Sequence, residues 1–232
     1  MFATTNTVRS FFIDELKNSR FVVDKTGVRT IELLGASFTA DFPTIFGEPN
    51  DDYIDRELLW YDSLSTNIND IYGGDRAPPK AWEYSANEHG EINSNYGLLL
   101  YSPLYHSQYD NLLVELLRNP NSRRATAIYN RPEIWREATA NGKNDFICTN
   151  AVTYYIREQR LHCVVQMRSN DVIYGYNNDY AWQEEVLLRL TDDYNIALEA
   201  DRTVDYAPIT AGEIVWQVQS LHVYEKHFDL VY

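Results

Sequence analysis

The chain reads as an α+β domain built on a largely mixed or antiparallel sheet. Three observations predict this: apolar stripes at helical spacing, β-rich runs bounded by polar turns, and no strict strand-helix-strand alternation of the kind a doubly wound sheet needs. All 232 residues, 1–232, fit one domain, because single cores stay efficient up to roughly 250 to 300 residues. No fixed-period repeat, low-complexity tract or long linker divides it.

The elements follow in order. Polar Thr4 to Thr7 ahead of Val8, Phe11, Phe12 and Leu16 predict an N-cap and a first amphipathic helix. "FVVDKTGVRTIELLGASFTADF" reads as strand, turn at Lys25-Thr26-Gly27, and a longer strand interrupted by Gly35. In "NDDYIDRELLWYDSL", Asp51 or Asp52 is the expected cap of a helix that carries Glu57 and shares Ile54, Leu58 and Tyr61 on one face. "GGDRAPPKAW" and "NEHGEINSNYG" read as loop. "SQYDNLLVELLRNP" is a helix with Leu112, Leu113, Leu116 and Leu117 inward, stopped at Asn119-Pro120, and "RRATAIYNRP" is a strand leaving a basic turn. Two β-rich runs flank Arg157-Glu158-Gln159-Arg160, followed by a helix expected to start near Asn178 or Asp179 with Trp182, Val186, Leu187 and Leu190 on its apolar side. "GEIVWQVQSLHVYEKHF" is a last alternating strand.

Composition narrows the function. Thirty-four Asp and Glu against twenty Lys and Arg give a formal charge of -14, which repels polyphosphate, so neither nucleic acid nor an anionic membrane is an expected partner. No run approaches the ~20 apolar residues of a membrane helix. The N-terminus lacks an export signal, and two cysteines, Cys148 and Cys163, make no disulfide framework, so a cytoplasmic setting is expected. Eighteen Tyr suit a pocket or subunit interface, and equally a tyrosine-rich core.

The hairpin turning at Glu158 and Gln159 pairs positions summing to about 317, which sets Cys148 opposite Arg168 or Ser169. A guanidinium beside a thiol stabilises thiolate, the usual way a cysteine becomes a nucleophile, although a small buried apolar residue suits the same place. Arg123 and Arg124 in "NSRR" reverse the local charge as phosphate recognition requires; a solvated turn is the alternative. Arg168, Ser169 and Asp171 of "MRSND" add polar groups beside Cys148. Walker A, dinucleotide-binding and serine-hydrolase patterns are absent, His222 and His227 lack the zinc-binding helical offset, and no metal is expected.

"DKTG", "RELLW", "NSNYG", "NPNSRR", the Cys148 strand, "MRSNDVIYGYNNDYAW" and "SLHVYEKH" occur in the order and approximate spacing of the thymidylate synthase family. From about Phe21 to His227 the chain resembles that family, and within it the deoxycytidylate hydroxymethylases of T-even phages. The resemblance implies an α+β fold, a large mixed β-sheet packed by helices, with two subunits joined back to back through the sheet and arginines shared across the interface. It implies Cys148 as the nucleophile that adds to pyrimidine C6, Arg168 and Ser169 as phosphate ligands with Arg168 favouring thiolate, Arg123 and Arg124 as the pair donated by the other subunit, and Lys25 as a point-charge substitute for a phosphate-binding arginine. Glu57 and Tyr96 match a network that organises water and proton transfer. Trp82 and Asp171 match folate contacts, His222 and Tyr224 match ligands of the deoxyribose hydroxyl, and Asn178 adjoins the base-reading position.

Two departures from thymidylate synthases are informative. Asp179 stands at the position of the asparagine that reads the uracil edge, as in the hydroxymethylases; an ionised carboxylate accepts from the cytosine amino group and protonated ring nitrogen but opposes a uracil carbonyl. Thr149 and Asn150 follow the cysteine where the synthases carry histidine. The chain also stops at Tyr232, short of the synthases' closing tail, so a less closed pocket that admits water is expected. The resemblance therefore implies a homodimer that converts dCMP, 5,10-methylenetetrahydrofolate and water to 5-hydroxymethyl-dCMP and tetrahydrofolate in the host cytoplasm during phage infection. Other phage nucleotide-synthesis enzymes are possible partners. The alternatives are a dUMP-directed hydroxymethylase or synthase, and an inactive nucleotide-binding subunit of a precursor-synthesis complex.

Overall fold

A six-stranded mixed sheet organises the computed structural model, which describes residues 3–23, 27–200 and 206–232. Strand order is β1 (Val22–Val23), β2 (Arg29–Thr39), β6 (Thr210–Tyr224), β5 (Arg160–Asp171), β4 (Thr149–Arg157), β3 (Thr126–Ile128). All neighbours are antiparallel except β5 and β6. That parallel pair needs a crossover, and α7 (Gly175–Ala200) supplies it while packing on both strands.

Thr4 caps α1 (Thr5–Lys17) in a reciprocal capping box with Thr7, which buries Val8 and Phe12. In β2, Gly35 takes φ +67 and the pairing with β6 keeps one register on both sides, so the glycine kinks the strand without slipping it. Asn50, rather than Asp51 or Asp52, caps α2 (Asp51–Asp62) by accepting from Tyr53 N. The buried face of α2 is Tyr53, Glu57, Trp60 and Tyr61, turned from the expected Ile54, Leu58 and Tyr61. α3 (Lys80–Ser85) begins in the last three residues of the first segment that reads as loop, and α4 (Tyr96–Tyr101) in the last two of the second. α5 (Gln108–Arg118) buries Leu112 and Leu116 and ends at Asn119, which is extended before Pro120 as the proline requires. A single turn, α6 (Ile134–Glu137), leads towards the β4–β5 hairpin. There Glu158 and Gln159 both take positive φ, the signature of a two-residue turn that follows strand twist.

The buried apolar side chains form one contiguous core between the sheet and its helices, with Trp60, Trp182 and Trp216 the largest. On another part of the sheet surface, Gly35, Ser37, Asn150, Gln166, Gln217 and Gln219 line a depression of about 330 Å³, and Leu34 close by in β2 is 71% exposed. Among the described residues no helix is long and apolar enough to cross a membrane.

Candidate active site

Cys148 immediately precedes β4, and its carbonyl accepts from Arg168 N at 2.9 Å. The hairpin register slips by one residue between Thr149 and Ala151, which settles the pairing on Arg168 rather than Ser169. Arg168 is held from several sides: Nε donates to Ile147 O at 3.0 Å, Nη2 donates to Phe146 O, and the guanidinium lies 5.0 Å from the Phe146 ring centroid. Its Nη2 stands 3.4 Å from Cys148 Sγ. The expected acidification of the thiol is nonetheless reversed. Burial pushes Cys148 up to about 11; Arg168 pulls the other way, and Asp179, Asp145 and Asp171 add to the rise. One guanidinium does not offset desolvation among three carboxylates.

Glu57 points from α2 into the interior, 5% exposed. Tyr53, one turn earlier, donates to Oε1, and Trp82 Nε1 donates to the same oxygen at 3.1 Å and to Tyr53 Oη at 2.8 Å. Both bonds fall on Oε1, so Oε2 keeps lone pairs for a further partner. Burial raises Glu57 to about 7 against the pull of these two donors, so it holds or releases a proton near neutrality. Trp82, expected as a folate contact, is half-buried with its ring edge-on to Trp60 at 5.3 Å.

Asp179 is interior to α7 and does not cap it, because the helix begins at Gly175. The cap is Asp171: Oδ1 accepts from Ile173 N at 2.9 Å and Tyr174 N at 3.0 Å, and Oδ2 from Gly175 N at 2.8 Å. One turn into the helix, Asp179 Oδ2 accepts from Asn170 Nδ2 at 2.7 Å. Burial, then Glu57 and Asp171, push Asp179 well above the usual carboxylate range, with Asn170 opposing. The ionised carboxylate expected here is thus disfavoured in the protein's own field.

The "NSNYG" segment is built as a clasp. Buried Asp145 accepts from Asn93 N at 2.6 Å, Ser94 N at 2.8 Å and Ser94 Oγ at 2.7 Å. Asn95 Nδ2 donates to Trp60 O at 3.0 Å and its Oδ1 caps α4 through Leu98 N. These bonds deliver Tyr96, stacked on Tyr61 at 5.4 Å, to the vicinity of Asp179, Cys148 and Thr149, whose side chains are the principal electrostatic influences on its hydroxyl after burial. Thr149, which follows the cysteine where the resemblance implies a histidine in the synthases, is fully buried.

Ser169 is half-buried and pairs with Ser220 across β5 and β6. His222 is buried opposite Asp171 in the same pairing, its Nδ1 3.3 Å from Ser220 O and its ring 4.9 Å from that of Tyr224. Asn178 is half-buried in the first turn of α7. The chain does not itself bring Arg123 and Arg124 to this site. Both are exposed after α5, Arg124 pairs with Glu115 at 3.1 Å, and adjacent Ala125 bonds Tyr154, six residues and about 20 Å along β4 from Cys148. Lys25 lies outside the described residues. Tyr53, Asp145 and Asn170 are site residues that sequence reasoning passed over, since each acts through a partner distant in sequence or on a helical face read one step away. Among the described residues no group of three His, Cys, Asp or Glu is placed to hold a metal ion.

Residues 14–232 match the family model described as thymidylate synthase. The chain is 52% identical over 216 residues to the deoxycytidylate 5-hydroxymethyltransferase of Enterobacteria phage T4, covering 93% of this chain and 84% of that protein. The same identity and coverage hold for the phage T6 protein of that name. A thymidylate synthase of Fusobacterium nucleatum is 27% identical over 176 residues, 75% of this chain and 57% of that enzyme.

Proposed function

The chain belongs to the thymidylate synthase family, and from its site we propose that it is a deoxycytidylate 5-hydroxymethyltransferase. The observation that carries the reading is Asp179, a carboxyl group held among Cys148, Glu57 and Tyr96 in a chain 52% identical over 216 residues to a relative of this name. Cytosine offers an amino donor and a ring nitrogen. One proton shared between that nitrogen and Asp179 completes two hydrogen bonds, whichever partner holds it.

In this reading Cys148 Sγ adds to C6 of dCMP, which makes C5 nucleophilic; Arg168 and Ser169 take the phosphate, and His222 and Tyr224 the sugar hydroxyl. Glu57, near neutrality, relays protons with Tyr96 and positions water. C5 bonds the one-carbon unit and loses its proton as the bond from that carbon to the folate nitrogen breaks and tetrahydrofolate leaves; water adds to the resulting exocyclic methylene carbon, and departure of Cys148 from C6 restores the aromatic ring. Thymidylate synthase-like enzymes use methylenetetrahydrofolate, which supplies the one-carbon unit. The residues present fit it: Trp82 offers a half-buried indole, and Asp171, with three amide donors on about four lone-pair sites, retains capacity for the pterin. Residues 1–232 act as one domain in a homodimer that completes each site with Arg123 and Arg124 of the other copy, with Lys25 and Asn178 as further substrate contacts, and that works on free nucleotide in the cytoplasm.

Mass spectrometry of products from dCMP and dUMP, each with methylenetetrahydrofolate, tests this. A hydroxymethyl adduct from dCMP alone is expected. A methyl adduct from dUMP with oxidation of the folate means a synthase, and no product from either means a non-catalytic binding subunit.

A further inference from the structure

A protonated Asp179 raises a problem that the site itself answers. A neutral carboxyl group presents one donor and one acceptor, and with its proton on either oxygen it matches cytosine or uracil equally well. Discrimination therefore depends on which oxygen is kept free of the proton. Asn170 lies 4% exposed on β5 between Asp179 and Trp216. The indole Nε1 of Trp216, a donor with no acceptor capacity, is 3.3 Å from Asn170 Oδ1. This fixes the amide: turned over, it would set its NH2 group against the indole N–H. Nδ2 is consequently directed at Asp179 Oδ2, 2.7 Å away. Gly175 leaves room for the arrangement, since a Cβ there would lie 3.2 Å from Nδ2 and 2.7 Å from Asp171 Oδ2.

We propose that Asn170, oriented by Trp216, is a specificity-determining positioning residue: it keeps Asp179 Oδ2 an acceptor, so that this oxygen reads the cytosine amino group and opposes the uracil carbonyl. Any proton on Asp179 is confined to Oδ1, where it serves the cytosine ring nitrogen. Asn170 does not touch the base; it selects between bases through Asp179. The inference rests on the dCMP-directed reading given above.

The test is the ratio of kcat/KM for dCMP over dUMP in the full-length protein, its Asn170→Ala variant and its Trp216→Phe variant. A merely structural role lowers both substrates alike and leaves the ratio in place. The expected result is a ratio reduced at least tenfold in Asn170→Ala, and reduced less in Trp216→Phe, where the amide is released but present. Should Asn170→Ala not fold, Trp216→Phe carries the test, because it keeps an aromatic ring in the core while removing the indole N–H that orients the amide. An unchanged ratio in the folded variants overturns the role of Asn170 while the parent's preference for dCMP still stands. A parent that turns over dUMP and not dCMP overturns the functional reading, and this inference with it.

Discussion

Cys148 and Glu57 both depart from their ordinary titration, and each departure has a measurable sign. With the Cys148 thiol pushed up to about 11, the thiolate fraction at neutral pH is about a hundredfold below that of an ordinary cysteine. Alkylation of Cys148 by iodoacetamide, followed by peptide mass spectrometry, is expected to be slow at neutral pH and to climb continuously into the alkaline range. Arg168→Met slows it further, because Arg168 is the group that pulls the thiol down. Cys163, fully buried, serves as the unreactive internal reference. Glu57 is raised to about 7 from an ordinary 4.5, so the folded state holds a proton the unfolded state releases. Its contribution to stability is complete below the unfolded value and is lost as pH rises through the folded one. Urea unfolding should show Glu57→Gln gaining stability over the parent with rising pH, by up to about 3 kcal/mol on the alkaline side, while losing turnover. A difference that is flat with pH would mean that Glu57 is solvated.

Between elements, the seam of α2 and α4 is the least forgiving part of the site. A Cβ on Gly97 would fall 2.0 Å from Tyr61 O, a backbone atom with no rotamer to yield. Gly97→Ala is expected to destabilise by about 3 kcal/mol or more and to lower kcat, because the helices it separates carry Glu57 and Tyr96. Thermal unfolding and turnover read both effects; a variant like the parent in each would show the seam to be pliant. This seam was not legible in the sequence, and its opacity has a cause. α3 and α4 are six residues each, less than two turns, so they show no periodicity and their turn-forming neighbours dominate. The sequence pattern places the start of α7 three or four residues late because its cap, Asp171, is separated from the polar Asn177 to Asp179 run by apolar and aromatic residues. The long hairpin was legible: alternation runs through both strands and a two-residue turn sets the register, which is how Cys148 and Arg168 found each other. Asn170 and Trp216 meet through a parallel pairing 46 residues apart, which no local pattern announces.

For the whole molecule, the charge of -14 and the placement of its arginines bear on the same question. An acidic protein that takes an anionic nucleotide needs a concentrated local reversal of charge, and among the described residues of one chain Arg168 is the arginine that stands at Cys148. Arg123 and Arg124 are about 20 Å along the sheet, and the sheet surface around Leu34, Gln166 and Gln217 is open to a second copy. If two chains complete each site, neither defect in a mixed pair of variants is dominant. Cys148→Ala and Arg124→Ala proteins are each expected to be inactive, or nearly so, alone. After unfolding and refolding together at equal amounts, half the dimers are hybrids, and each hybrid has one site with the thiol from one chain and the arginine from the other. About a quarter of the parental activity should return by that count, a recovery that follows from two-fold symmetry alone. Sites made within single chains would stay silent in the mixture, and the shared-arginine arrangement would fall with them.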